Sequence, residues 1–150
     1  LIFDPNFRLF DNDRTSGEAL KQRYGHHRHM LLDPGSQQSI DMTYTMAADL
    51  YLGDVSSQVA EFMIRPRPCP FLNAHQAEWR GNPNYQIWTL GPIIETTENL
   101  GASVEEAFRS HPRFHERQRQ YVLETFENTG DKPTAPAAAD AIIDFLRRTA

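Results

Sequence analysis

The chain has 150 residues, a formal net charge of −5, 39% apolar and 23% charged residues, and a single cysteine. That length and apolar share suit one soluble globular domain with a real core. The acidic balance argues against a nucleic-acid footprint, one thiol excludes an internal disulfide framework, and no apolar run approaches the roughly 20 residues of a membrane span. The bulk picture is a cytoplasmic domain, with a peripheral place at the inner face of the membrane left open. The opening Leu1-Ile2-Phe3-Asp4 reads as the inside of a strand, so the chain is expected to be a fragment or a trimmed piece of a longer one.

In chain order, "LIF" and "RLF" give a first short strand around Pro5, and "SGEALKQRYG" a helix stopped by Gly25. "HMLLD" reads as a second strand closed by the turn "DPGS", and "SIDMTYTMAA" as one helix with Ile40, Tyr44 and Ala47 on a stripe. "DLYLGD" is a third strand, running directly into a helix over "SSQVAEFMI" that "RPRP" ends. "CPFLN" is a fourth strand, in which Cys69 reads as a buried, inert thiol. An aromatic loop with His75, Trp79, Tyr85 and Trp88 follows, and then a fifth strand, "GPIIET". Ser103 to Glu106 has capping-box spacing for a helix that Pro112 ends. Phe114, Gln118, Tyr121 or Val122, and Phe126 stripe another helix, and Ala138, Ala141-Ile142 and Phe145-Leu146 mark the last one.

Short apolar strands alternating with helices predict an α/β fold: a single Rossmann-like domain over 1–150, with a doubly wound parallel sheet. Such sheets bind ligands beyond the carboxyl ends of their strands. The candidates are then Asp33 to Gln37, Asp54 to Ser57, Asn73 to His75, and Glu95 to Glu98. Within Asp54-Val55-Ser56-Ser57, Ser56 suits an N-cap and Ser57 the first turn of a helix pinned by Val59, Phe62 and Met63. Unpaired amides and two hydroxyls at that start would seat a phosphate, and Glu61, one turn on, would accept from a sugar hydroxyl. The plain alternative is an ordinary helix cap.

Two other chemistries fit less well. A receiver-type domain would use Asp54 as phosphoacceptor with Asp11 and Asp13, but the fifth strand offers no lysine. A serine hydrolase would need a Gly-x-Ser-x-Gly elbow, which "GDVSSQ" lacks. His26, His27 and His29 read as a solvated turn rather than a metal site. His75, at the ligand edge, is a candidate phosphate donor or acid/base group, against the alternative of a local hydrogen-bonding role. Trp79, Tyr85 and Trp88 either cover a ligand, face a partner, or simply pack the loop.

The stretch "AADLYLGDVSSQVAEFMIRPRPCPFLNAH", with "IDMTYTMAAD" before it and "AAADAIIDFL" after it, resembles the carboxyl-terminal half of the CDP-glycerol glycerophosphotransferase family. The resemblance rests on a strand ending in Asp-x-Ser-Ser, its helix, and a proline-flanked strand. It implies the GT-B architecture of two facing Rossmann-like domains, of which the amino-terminal, acceptor-binding one would be missing here, and a transferase acting in synthesis of a teichoic-acid-like cell-envelope polymer. It further implies that Ser56 and Ser57 hold the diphosphate of a CDP-glycerol-like or nucleotide-sugar donor, with Asp54 shaping the turn. Asp33, Pro34, Gly35, Ser36 and Gln37 would contact the base, Glu61 would read the ribose, and Asn73 would complete the nucleotide set. The scheme requires neither metal nor cofactor, and the fragment alone is expected to bind rather than catalyse. Asp4-Pro5-Asn6 stands where the family has a His-Pro pair. That departure opens the alternative of a nucleotide- or partner-binding domain without chemistry.

Overall fold

The computed structural model describes residues 14–33, 36–126 and 134–149. The chain divides into two compact units, residues 1–51 and 52–150. The first strand expected around Pro5 lies outside the described residues, as do Pro34 and Gly35.

In the first unit, α1 (Arg14–Tyr24) ends where Gly25 donates its amide to the Lys21 carbonyl at 2.8 Å. "HMLLD" forms no described strand; only Leu31 takes part in a bridge. The single helix expected over "SIDMTYTMAA" is two, α2 (Gln37–Ile40) and α3 (Thr43–Ala47). The break has a local cause. Asp41 Oδ1 accepts from both the amide (3.1 Å) and the hydroxyl (2.6 Å) of Thr43, drawing the chain into a turn. Met42 between them sits in the left-handed region at φ 63°.

The second unit carries the core. α4 (Gln58–Phe62) buries Val59 and Phe62, with Met63 just beyond. β1 (Phe71–Leu72) pairs in parallel with β2 (Ile93–Ile94), Phe71 opposite Ile93 and Leu72 opposite Ile94. Between the strands, Pro83–Leu90 winds as a kinked 3-10 helix that buries Trp88 and Leu90. α5 (Leu100–Ser110), a short 3-10 turn, and α6 (His115–Thr125) supply Ala107 and Val122 to the same core. Phe71 stacks on Trp88 at 6.1 Å, and Tyr85 meets Trp88 edge-on at 4.8 Å. Most of the aromatic loop therefore packs inward. α7 (Thr134–Thr149) buries none of its residues.

The doubly wound sheet is not there. Helices dominate the described residues, and the only sheet among them has two strands of two residues each. Proline is the physical reason: Pro66, Pro68, Pro70 and Pro92 lack amide donors and interrupt the two best apolar runs. The ladder survives only between them. Phe71 and Asn73 donate to Pro92 and Ile94, each at 2.9 Å, and Leu72 donates the other way to Gly53 at 2.8 Å. "DLYLGD" contributes only this Gly53–Phe71 bridge, also parallel, instead of a third strand.

Gln118, fully enclosed, is the polar fastener of this unit. Its Nε2 donates to the carbonyls of Arg67 (3.1 Å) and Leu90 (2.8 Å), and its Oε1 lies 3.0 Å from His111 Nε2. Since that oxygen can only accept, the imidazole carries its proton on Nε2.

Cys69 is buried in the core, and burial pushes its thiol from the ordinary 9.0 up to about 12. The folded chain thus keeps a proton that the unfolded chain releases above pH 9. Stability is fully present below that pH and falls as pH rises through the window, by up to about 1.4 kcal/mol per pH unit. At pH 8 a disulfide reagent such as DTNB is expected to leave the native protein unlabelled and to label it fully in denaturant. Rapid native labelling would place Cys69 outside the core.

Candidate functional site

Three parallel segments end side by side because β1 is central: its amides alternate between Gly53 on one flank and the Pro92–Ile94 segment on the other. The residues just past the three ends are Asp54, Asn73 and Glu95. All three were expected at strand ends, and the short ladder suffices to bring them to one edge.

Asn73 organises this edge. It is only 3% exposed, and all its side-chain polar atoms are engaged. Its Nδ2 donates to Glu95 Oε2 at 2.8 Å and to the Ala77 carbonyl at 3.2 Å, while its Oδ1 accepts from the Ala77 amide at 2.7 Å. The amide side chain closes the following loop like a piece of backbone, and Gln76 within it takes a left-handed φ of 52°. The outcome is an open cleft of about 390 Å³, walled by Asn73, Glu95 and the segment 76–80. Trp79 lines it with the Arg80 guanidinium 4.8 Å from its ring centroid. The Trp79 Nε1–H is buried and finds no acceptor among the described residues, and the same holds for Trp88.

At the neighbouring segment, Asp54 is exposed and its Oδ1 accepts from the Val55 amide at 2.5 Å. Ser56 is half-buried and its Oγ accepts from the Gln58 amide at 3.3 Å, whereas Ser57 is exposed with helical φ/ψ of −62° and −27°. No hydrogen bond among the described residues engages the amides of Ser56 and Ser57. They remain open donors. The helix behind them is shorter than its sequence suggests, five residues, so its dipole adds little. Glu61 is half-buried in that helix.

The remaining candidates stand elsewhere. Asp33, Ser36 and Gln37 belong to the first unit. There the buried Asp33 accepts from the Ser36 amide at 2.7 Å and from its hydroxyl, just ahead of α2. His75 is exposed after β1 but is not among the residues lining the cleft. His26, His27 and His29 lie ring to ring, at 4.1 and 5.5 Å. Among the described residues no three His, Cys, Asp or Glu are grouped to hold a metal. Gln76, Glu78 and Arg80 were not anticipated. The signal was "QAEWR", a run of hydrogen-bonding side chains around one tryptophan directly after a strand end.

No helix among the described residues is long and apolar enough to cross a membrane. No protein-family model, curated protein or solved structure matches the chain.

Proposed function

We propose that the chain binds a nucleotide-diphosphate donor through the amides of Ser56 and Ser57, beyond the segment end at Asp54, as the donor-binding part of a transferase. The reaction moves a glycerophosphoryl or glycosyl group to an acceptor hydroxyl of a cell-envelope polymer, in the cytoplasm, with a further domain supplying the acceptor contacts. The observation that supports this reading is the pair of unengaged amides at Ser56 and Ser57, directly beyond a parallel-paired segment, with Ser57 exposed and Ser56 half-buried. A diphosphate oxygen accepts strongly from such groups, each charge-assisted bond contributing about 1.5–3 kcal/mol. The Ser57 hydroxyl adds a third donor. The second reading, nucleotide binding without chemistry, is favoured by Asp4-Pro5-Asn6 in place of His-Pro.

Ser57 has φ −62°, the angle that proline enforces, so Ser57→Pro deletes one amide donor and the hydroxyl while respecting that torsion. Titration calorimetry with CDP, UDP and CDP-glycerol is expected to show binding that weakens about tenfold or more in this variant. Absence of heat with every nucleotide, or equal affinity in Ser57→Pro, removes the proposal. Transfer of glycerophosphate by the parent protein then separates the two readings.

A further inference from the structure

The cleft walled by Asn73, Glu95 and residues 76–80 lies beside the Ser56–Ser57 amides in the sheet order but uses none of them. Its lining has a distinct chemistry. Glu78 and Glu95 bring two carboxylates against one guanidinium, Arg80, in a protein whose net charge is already −5. A phosphate is disfavoured there. The Arg80 guanidinium already lies over the Trp79 ring and takes the aromatic face on which an organic cation would stack. Carboxylates that accept, beside a guanidinium and an amide that donate, suit a neutral ligand whose groups both donate and accept.

We propose that this cleft binds a vicinal diol of a neutral sugar or polyol. Glu95 and Glu78 accept from ligand hydroxyls, while Arg80 and Gln76 donate to ligand oxygens. The site is built before the ligand arrives. Buried Asn73 holds Glu95 through Oε2 alone and leaves Oε1 without a hydrogen bond among the described residues. The same amide clamps Ala77 on both its backbone groups, which fixes the loop that presents residues 76–80. Gln76 is kept at a φ that non-glycine residues seldom adopt, a feature that gathers at ligand sites. The cleft volume of about 390 Å³ falls in the range of small-molecule sites and accommodates one hexose. The inference does not depend on nucleotide binding, since it invokes no phosphate and is tested without nucleotide.

The experiment follows the indole N–H resonances of the whole chain by NMR, with Trp79 assigned through Trp79→Phe, during titration with glycerol, glucose and galactose. The expected result is a saturable shift of the Trp79 resonance with at least one of them in the millimolar range. It should weaken at least tenfold in Glu95→Gln and in Glu78→Gln. Glu95→Gln retains an oxygen for Asn73, and an unchanged melting curve confirms that the cleft persists. Glu78 is exposed, so Glu78→Gln carries the test even if Glu95→Gln disturbs the fold. The proposal is overturned if none of the three polyols produces a saturable shift, or if both variants that fold bind like the parent. It is equally overturned if inorganic phosphate or tetramethylammonium saturates the Trp79 shift instead.

Discussion

Gly91→Ala is expected to lower the stability of the second unit by about 3 kcal/mol or more, or to prevent its folding. A Cβ at this position would stand 1.9 Å from the Cys69 carbonyl oxygen, 2.8 Å from its carbon and 3.3 Å from the Phe71 ring. Two of those neighbours are backbone, so no rotamer change relieves the clash. Gly91 has φ −160°, an extended conformation open to any residue, and the effect is therefore purely one of space. Relief requires moving the chain before β2 away from the chain before β1. The first casualty is the hydrogen bond from Phe71 to Pro92, the next residue along. Urea unfolding is the measurement, and a midpoint within experimental error of the parent would contradict this account. Because the pairing of β1 with β2 also places Asn73 beside Glu95, ligand binding at the cleft is expected to fail with it.

Gln118→Leu has the second largest expected effect. Leucine conserves most of the volume, so the loss is almost wholly polar: two carbonyls, of Arg67 and Leu90, and the His111 imidazole lose their partner at once. Each buried polar group stranded in this way costs about 1–3 kcal/mol. Some of the three recover water, since His111 and Arg67 are half-buried, while Leu90 lies in the core. A net loss of about 3 kcal/mol follows, which in a unit of this size lowers the melting temperature by about 10–20 °C. Calorimetry on the variant checks it. A shift of less than about 3 °C would mean that the fastener is dispensable.

Helices were more legible in the sequence than strands, and for identifiable reasons. The stripe through Gln118 and Val122 is the buried face of α6, and Gly25 does stop α1, because both signals are local. The capping box at Ser103 misled because α5 begins three residues earlier, with Asn99 as its cap; the Ser103 amide donates to the Asn99 carbonyl inside the helix. Short apolar runs such as "HMLLD" and "DLYLGD" satisfy a strand pattern without any guarantee of a partner. Whether they pair is decided by amides supplied from elsewhere in the chain, and beside Gly53 the prolines that flank β1 withhold them. The inference of a doubly wound sheet failed at that step. The strand-end rule nevertheless selected Asp54, Asn73 and Glu95, since it needs direction and adjacency rather than length. Residues 76–80 stayed hidden because their placement depends on one buried side chain, Asn73, bonding four residues ahead, which no periodicity encodes.

α7 leaves Ile142, Phe145 and Leu146 between 58 and 66% exposed. A sixteen-residue helix that gains no burial is governed by its alanine-rich start and its own turn-to-turn bonds, a regime in which isolated helices are marginal in water. On warming, its ellipticity should therefore drain away gradually, ahead of the single sharp step in which the rest of residues 52–150 comes apart.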